Sequence, residues 1–274
     1  MKAPTWHSET LPEVKTPSPA GWLRLVLRVL ALLTVIGVGL VVLGLLRLVE
    51  RPVWGAHRPI TPYVTQAVCR VGLVILGLQL KVSGRPMARA GALVSNHISW
   101  IDVFAINATT RVCFVAKSEV AGWPGIGLLA RVTGTAFVKR EAAEAGTQRD
   151  LLRQRIRDGF LLAFFPEGTT TDGLQVLPFK SALFAAFTDM PASAAIQPLT
   201  LRYVAPPGAD VRHYGWWGDM ALAEHFRTVL SQSGRGSVIL TYHPPLARDL
   251  LKDRKAMART AEAMVRNGLH EPAR

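Results

Sequence analysis

The stretch Val94-Ser95-Asn96-His97-Ile98-Ser99-Trp100-Ile101-Asp102 decides how the chain is read. An apolar run over residues 92–94 stops at Asn96-His97, and apolar residues resume around Asp102, five positions after the histidine. A histidine that acts as a base works best with a carboxylate that fixes its tautomer and stabilises its charged form. On one continuous helix, five residues would turn the two side chains about 140° apart. They form a pair only if His97 lies in a loop after a strand and Asp102 lies in the first turns of the next helix. Asn96 and Ser99 are both residue types that cap such a helix. Taken alone, the same spacing also describes a loop histidine near an unrelated helical aspartate.

Outward from this stretch, short apolar runs alternate with segments of helical periodicity. The runs are residues 92–95, 112–116, 135–138, 161–165, 196–203 and 238–242. The helical segments are residues 101–108, 142–157, 181–187, 220–230 and 255–267. This alternation predicts an α/β fold with a mainly parallel sheet flanked by helices. No internal repeat is present.

Upstream the pattern is different. Residues 1–20 carry four prolines and little periodicity, which predicts a disordered tail. Residues 29–46 are uncharged and as a helix would span about 27 Å, close to the hydrocarbon thickness of a bilayer. Arg24, Arg28, Arg47 and Arg51 flank both ends, so charge asymmetry assigns no orientation. A cleaved signal peptide fits poorly, because the segment before the apolar run is long and no small-x-small site follows Leu46. A second apolar stretch, residues 64–80, is interrupted by Arg70. It reads equally as an interfacial helix completing a hairpin and as the first helix of the globular domain. The expected division is a tail at 1–20, membrane-anchoring helices at 21–82 and a catalytic domain at 83–274.

Of the 274 residues, 49% are hydrophobic and 19% charged, and the formal net charge is +13. A polyanionic partner follows from that charge. Zinc-finger spacing and RNP-type aromatics are lacking, so an anionic membrane is expected and nucleic acid is not. Cys69 and Cys113 each sit in an apolar run, which predicts buried free thiols. The His, Cys, Asp and Glu residues show no ligand spacing, and no metal is expected. Trp216-Trp217, with His213 and Tyr214, reads as a membrane-interface loop or as a loop packed on the core.

Ligands of open α/β sheets bind at the carboxyl ends of strands. Four places there combine apolar strands with polar residues. They are Asn96-His97 with Asp102; Gly134-Thr135-Ala136-Phe137-Val138-Lys139-Arg140; Phe164-Phe165-Pro166-Glu167-Gly168-Thr169-Thr170; and Ile196-Gln197-Pro198-Leu199. Each has a plain structural reading, and Pro198 by itself predicts an edge strand or a bulge. In this order, over residues 91–203, the four resemble the motifs of the glycerophospholipid acyltransferase family, its bacterial 1-acyl-sn-glycerol-3-phosphate acyltransferase branch above all.

The resemblance implies an enzyme that moves a fatty acyl group from acyl-CoA or acyl-carrier protein to a lysolipid hydroxyl, with phosphatidic acid as the first-choice product and no cofactor. His97 would be the general base and Asp102 its partner, half of a triad in which the substrate hydroxyl replaces the serine. Arg140 matches the family's phosphate-binding arginine, with Lys139 beside it. Glu167, Gly168 and Thr169 match the acceptor-binding motif, Lys180 a basic position downstream, and Pro198 an element that contacts the acyl donor or chain. Lys117 and Glu119 match supporting positions. The family usually places arginine after Glu-Gly-Thr, whereas this chain has Thr170, with Asp172 close by. That departure raises lyso-ornithine lipid as an alternative acceptor. A fold that binds lipid without chemistry, and a hydrolase passing the acyl group to water, are the rival readings. Because the implied donors are cytosolic, the resemblance implies a bacterial inner membrane location with the catalytic domain facing the cytoplasm.

Overall fold

The computed structural model describes residues 5–55, 57–139, 145–188, 190–191 and 193–270. Among them, one seven-stranded sheet is formed by β1 (Leu78–Ser83), β2 (Gly91–Ser95), β3 (Cys113–Lys117), β4 (Ala136–Val138), β5 (Leu161–Phe164), β6 (Ala195–Val204) and β7 (Gly236–Tyr242). The order is β1-β7-β6-β2-β5-β3-β4. Strands β6, β2, β5, β3 and β4 run parallel, β7 is antiparallel to β6, and β1 is parallel to β7. The helices are α1 (Pro19–Trp54), α2 (Thr61–Ile75), α3 (Ile101–Thr109), α4 (Ile126–Thr133), α5 (Ala145–Arg157), α6 (Leu222–Ser231) and α7 (Arg254–His270).

The central strands are apolar on both faces because helices cover both. Ala92, Val94, Leu162, Phe164 and Ile196 pack with Leu152 and Ile156 of α5 and with Met257 and Ala261 of α7. Leu93, Ala163, Leu199 and Leu201 pack on the opposite face with Leu73 of α2 and with Ile101 and Ala105 of α3. The chain enters β2 at Gly91, with φ 138°, where a Cβ would overlap the Ala195 carbonyl. Glycine is the residue that fits so close a backbone approach.

The N-terminal region departs from expectation in three ways. First, β1 was hidden at the end of the second apolar stretch. Its alternation of Leu78, Leu80 and Val82 with Gln79, Lys81 and Ser83 is that of a strand, and it is hydrogen-bonded to β7 along its length. The sheet therefore begins before the expected boundary at residue 83. Second, residues 5–18 have little regular structure but are not a loose tail. The Trp217 indole donates to Ser8 Oγ (2.9 Å), Arg212 donates to the Thr10 carbonyl (2.9 Å), and the Trp6 and Trp217 rings lie 6.2 Å apart. Third, the apolar helix is longer than residues 29–46. Ser18 caps it through the Gly21 amide (3.2 Å), and its 36 residues span about 54 Å.

Helix α1 is long and apolar enough to cross a membrane, with a mean hydropathy of 2.9 over its best window. It is also tied to the domain. Arg24 donates to Ser231 O (2.5 Å), and Arg28 donates to Leu230 O (3.1 Å) and Gln232 O (2.9 Å). Cations there satisfy the terminal carbonyls of α6 and complement its dipole. Helix α2 turns back along α1, with Val68 against Gly39, and its other side meets α3, where Arg70 Nε donates to Ala108 O (2.7 Å). The second apolar stretch is thus both the return arm of a hairpin and a helix of the globular core. The outer side of α1 leaves Leu27, Leu30, Leu33, Val41, Leu45 and Leu48 exposed.

Pro198 corrects the edge-strand expectation, because β6 lies between β2 and β7. It pairs with Val94 of β2, and the ladder to β7 starts only at Leu199. Next to it, Gln197 Nε2 donates to the His243 carbonyl (2.8 Å) and the His243 amide donates to Pro198 O (3.0 Å). A side-chain amide therefore occupies the carbonyl beside which proline has no N–H to offer.

Candidate active site

Strand β2 ends at Ser95, and Asn96 extends its pairing with a side chain. Asn96 Nδ2 donates to Leu201 O (2.9 Å), and the Leu201 amide donates to Asn96 Oδ1 (2.8 Å). Asn96 is therefore a rung between β2 and β6 rather than a helix cap. The chain then leaves the sheet at His97, and Asp102 is the second residue of α3, the loop-then-helix arrangement that the five-residue spacing demands. Ser99 is not a cap either: its buried hydroxyl has no hydrogen-bond partner among the described residues. Asp102, inside the helix, reaches back to the preceding loop and accepts the Ile98 and Ser99 amides at Oδ2 (2.7 and 3.0 Å).

The same Oδ2 lies 2.7 Å from His97 Nδ1, and the Tyr203 hydroxyl donates to Oδ1 (2.8 Å). Four donors on a fully buried carboxyl group are the complement of an ionised carboxylate. Burial, reinforced by the Asp102 charge, pushes the Tyr203 phenol well above its usual range, so it remains a donor. With Nδ1–H directed to Asp102, the lone pair of a neutral His97 ring is on Nε2. The His97 side chain is 24% exposed, so the loop opens to solvent at the ring whose partner is buried.

Strand β5, beside β2, delivers the Phe-Pro-Glu-Gly-Thr turn. Phe165 stacks on the His97 ring at 3.9 Å and 7°. Glu167 accepts the His97 amide at Oε1 (2.8 Å) and the Leu177 amide at Oε2 (3.0 Å). Burial dominates over these two amides and pushes its carboxyl up to about 8. With both oxygens engaged and the group buried, Glu167 holds the histidine loop in place. Gly168, at φ 73°, makes the turn possible. Thr169 Oγ1 accepts a long hydrogen bond from the Trp6 amide (3.5 Å), and the Thr171 amide donates to His97 O (2.9 Å).

A third loop completes the clamp. The Trp216 amide donates to Ile98 O (2.9 Å), while Trp217 and Tyr214 are buried. The aromatic loop thus packs on the core against the histidine loop. The Trp100 indole donates to His225 Nδ1 of α6 (2.9 Å), and burial pushes His225 down to about 4, keeping that nitrogen an acceptor at neutral pH.

The remaining predicted residues are placed unequally. Lys180 is exposed, and its amide donates to Pro166 O (3.0 Å), which brings it beside the Glu167 turn. Lys139 is exposed after β4, three strand spacings from β2, roughly 14 Å. Arg140 lies outside the described residues. Lys117 ends β3, and Glu119 follows it in a short 3-10 turn. Pro198 is buried mid-sheet, and no described hydrogen bond joins it to the His97 loop. Tyr203 and Phe165 were missed as site residues. The signal for Tyr203 was its period-two relation to Leu199 and Leu201, which puts it on the face of β6 that α3 covers.

Comparison with known proteins gives the family and the fold. The Acyltransferase family model matches residues 79–202, from β1 into β6. The lyso-ornithine lipid O-acyltransferase of Rhodobacter capsulatus is 49% identical over the whole of both chains. The 1-acyl-sn-glycerol-3-phosphate acyltransferase of Neisseria gonorrhoeae is 36% identical over 52% of this chain and 56% of that one. The crystal structure of the 1-acyl-sn-glycerophosphate acyltransferase PlsC from Thermotoga maritima has the same fold, with a TM-score of 0.59 at 20% identity over 91% of this chain and 96% of that one.

Two outcomes follow. Tyr203→Phe strips a donor from a buried carboxylate and should lower stability in denaturant unfolding by about 1.5–3 kcal/mol; an unchanged midpoint would contradict the hydrogen bond. Glu167 binds its proton more tightly folded than unfolded, so its contribution to stability falls as pH rises from about 4.5 to about 8. Thermal midpoints should therefore decline more steeply over that window for wild type than for Glu167→Gln, and equal slopes would contradict the assignment.

Proposed function

The chain belongs to the glycerophospholipid acyltransferase family and is an acyltransferase, and from that premise we propose that it acylates a hydroxyl of a lyso-ornithine lipid. The 49% identity to the Rhodobacter enzyme over both full lengths carries this reading. The turn after β5 supports it, because residues 167–179 contain no lysine or arginine. The order of the two acceptors expected from the motifs is thereby reversed. Lysophosphatidic acid, with phosphatidic acid as product, stays as the second reading, favoured by Lys139 and Lys180 at the carboxyl edge of the sheet and by the Neisseria relative.

In the proposed step, His97 Nε2 takes the proton of the acceptor hydroxyl as its oxygen attacks the thioester carbonyl of acyl-CoA or acyl-carrier protein. Asp102 stabilises the imidazolium that forms. Collapse of the tetrahedral intermediate expels the thiolate, which receives the proton from His97. The products are the acylated lipid and the free thiol, and no covalent enzyme intermediate is needed.

The apolar outer side of α1 would rest in the bilayer where acceptor and product reside, and the net charge of +13 would favour its anionic surface. Because the proposed donors are cytosolic, the domain is assigned to the cytoplasmic face of a bacterial inner membrane.

The test is a competition. Purified protein given a labelled acyl donor and equal amounts of lyso-ornithine lipid and lysophosphatidic acid should label the ornithine lipid predominantly. Predominant labelling of phosphatidic acid would overturn the choice. In the same assay Thr170→Arg should raise the share going to phosphatidic acid.

A further inference from the structure

We propose that the Asp172 carboxylate is a binding site for the ammonium group of the acceptor's head group. This rests on the acceptor assigned above and names the residue that reads it.

Asp172 lies between two clamped residues. On one side, the Thr171 amide is bound to His97 O (2.9 Å) and the Thr171 side chain is buried. On the other, Gly173, at φ 82°, lies against the Ile98 side chain, and its amide donates to Thr171 Oγ1 (3.2 Å). The acid is thus one residue, a Cα step of about 3.8 Å, from the residue bonded to the base's own carbonyl. Its Oδ1 accepts the Leu174 amide (3.0 Å), which fixes the carboxylate, and Oδ2 has no hydrogen bond among the described residues. The side chain is partly exposed.

Within residues 167–179 the charged side chains are all acidic. Between residues 167 and 179 the acids are Glu167 and Asp172, and Glu167 is buried with both oxygens engaged. Asp172 is therefore the charge this loop presents to solvent. Arg212 is near enough to feel it, but its guanidinium is held by both oxygens of Asp210 (3.1 and 3.0 Å) and by Thr10 O (2.9 Å). An ornithine head group brings an ammonium and a carboxylate, whereas a phosphomonoester brings only negative charge. A fixed carboxylate with an open oxygen attracts the first and repels the second, so one residue supplies both selection and rejection.

The experiment uses full-length purified protein, wild type and Asp172→Asn, with a labelled acyl donor and two acceptors: lyso-ornithine lipid and the same lipid with its free amine acetylated. The asparagine keeps an oxygen for the Leu174 amide. Asp172→Asn should lower kcat/KM for lyso-ornithine lipid about tenfold, mainly through KM, and leave the acetylated acceptor unchanged. Equal effects on both acceptors, or none on either, would overturn the proposal while leaving the acceptor assignment intact. Wild type without activity on lyso-ornithine lipid would overturn both.

Discussion

A buried carboxylate is tolerated only when its oxygens are hydrogen-bonded, and Asp102 meets this demand with donors from two parts of the chain. Ile98 and Ser99 give backbone amides from the loop after β2, His97 gives its ring, and Tyr203 gives a hydroxyl from the end of β6. The fold can satisfy that group only when β2, α3 and β6 are in register. The rung built by Asn96 secures that register where the backbone ladder stops.

The outer shell of the site follows the same logic. His97 is held by its ring through Asp102 and Phe165, by its amide through Glu167, and by its carbonyl through Thr171. Such redundancy leaves the ring one orientation, with Nε2 as the nitrogen that has no hydrogen bond among the described residues, the preorganisation that the proposed general base would need. The N-terminal hairpin is fastened to the same body. Arg24 and Arg28 bind the end of α6, which also carries the His225 partner of Trp100.

The α/β class, six of the strands and the loop position of His97 were legible because strands and helices leave different periods in a sequence. The pairing of His97 with Asp102 was legible as a conditional geometry that the fold met. Strand β1 was masked by the apolar stretch that runs into it. The tertiary contacts of residues 5–18 come from single residues, Trp6, Ser8 and Thr10, through backbone and side-chain atoms alike, and leave no period to read. Pro198 misled because its missing amide is compensated by the Gln197 side chain, a contact visible only in three dimensions. Glu167 was found by motif, but its burial, and with it a holding role, depends on Leu177 and the histidine loop closing over it. Arg140, the cation expected to bind phosphate, lies outside the described residues.

The proposed role of His97 as the base is tested most directly by labelled acyl transfer with purified His97→Ala, run beside a measurement of lysolipid binding. With Asp102, Glu167 and Tyr203 in place, the variant should bind lysolipid as wild type does and transfer no acyl group above background. Transfer at the wild-type rate would contradict the mechanism.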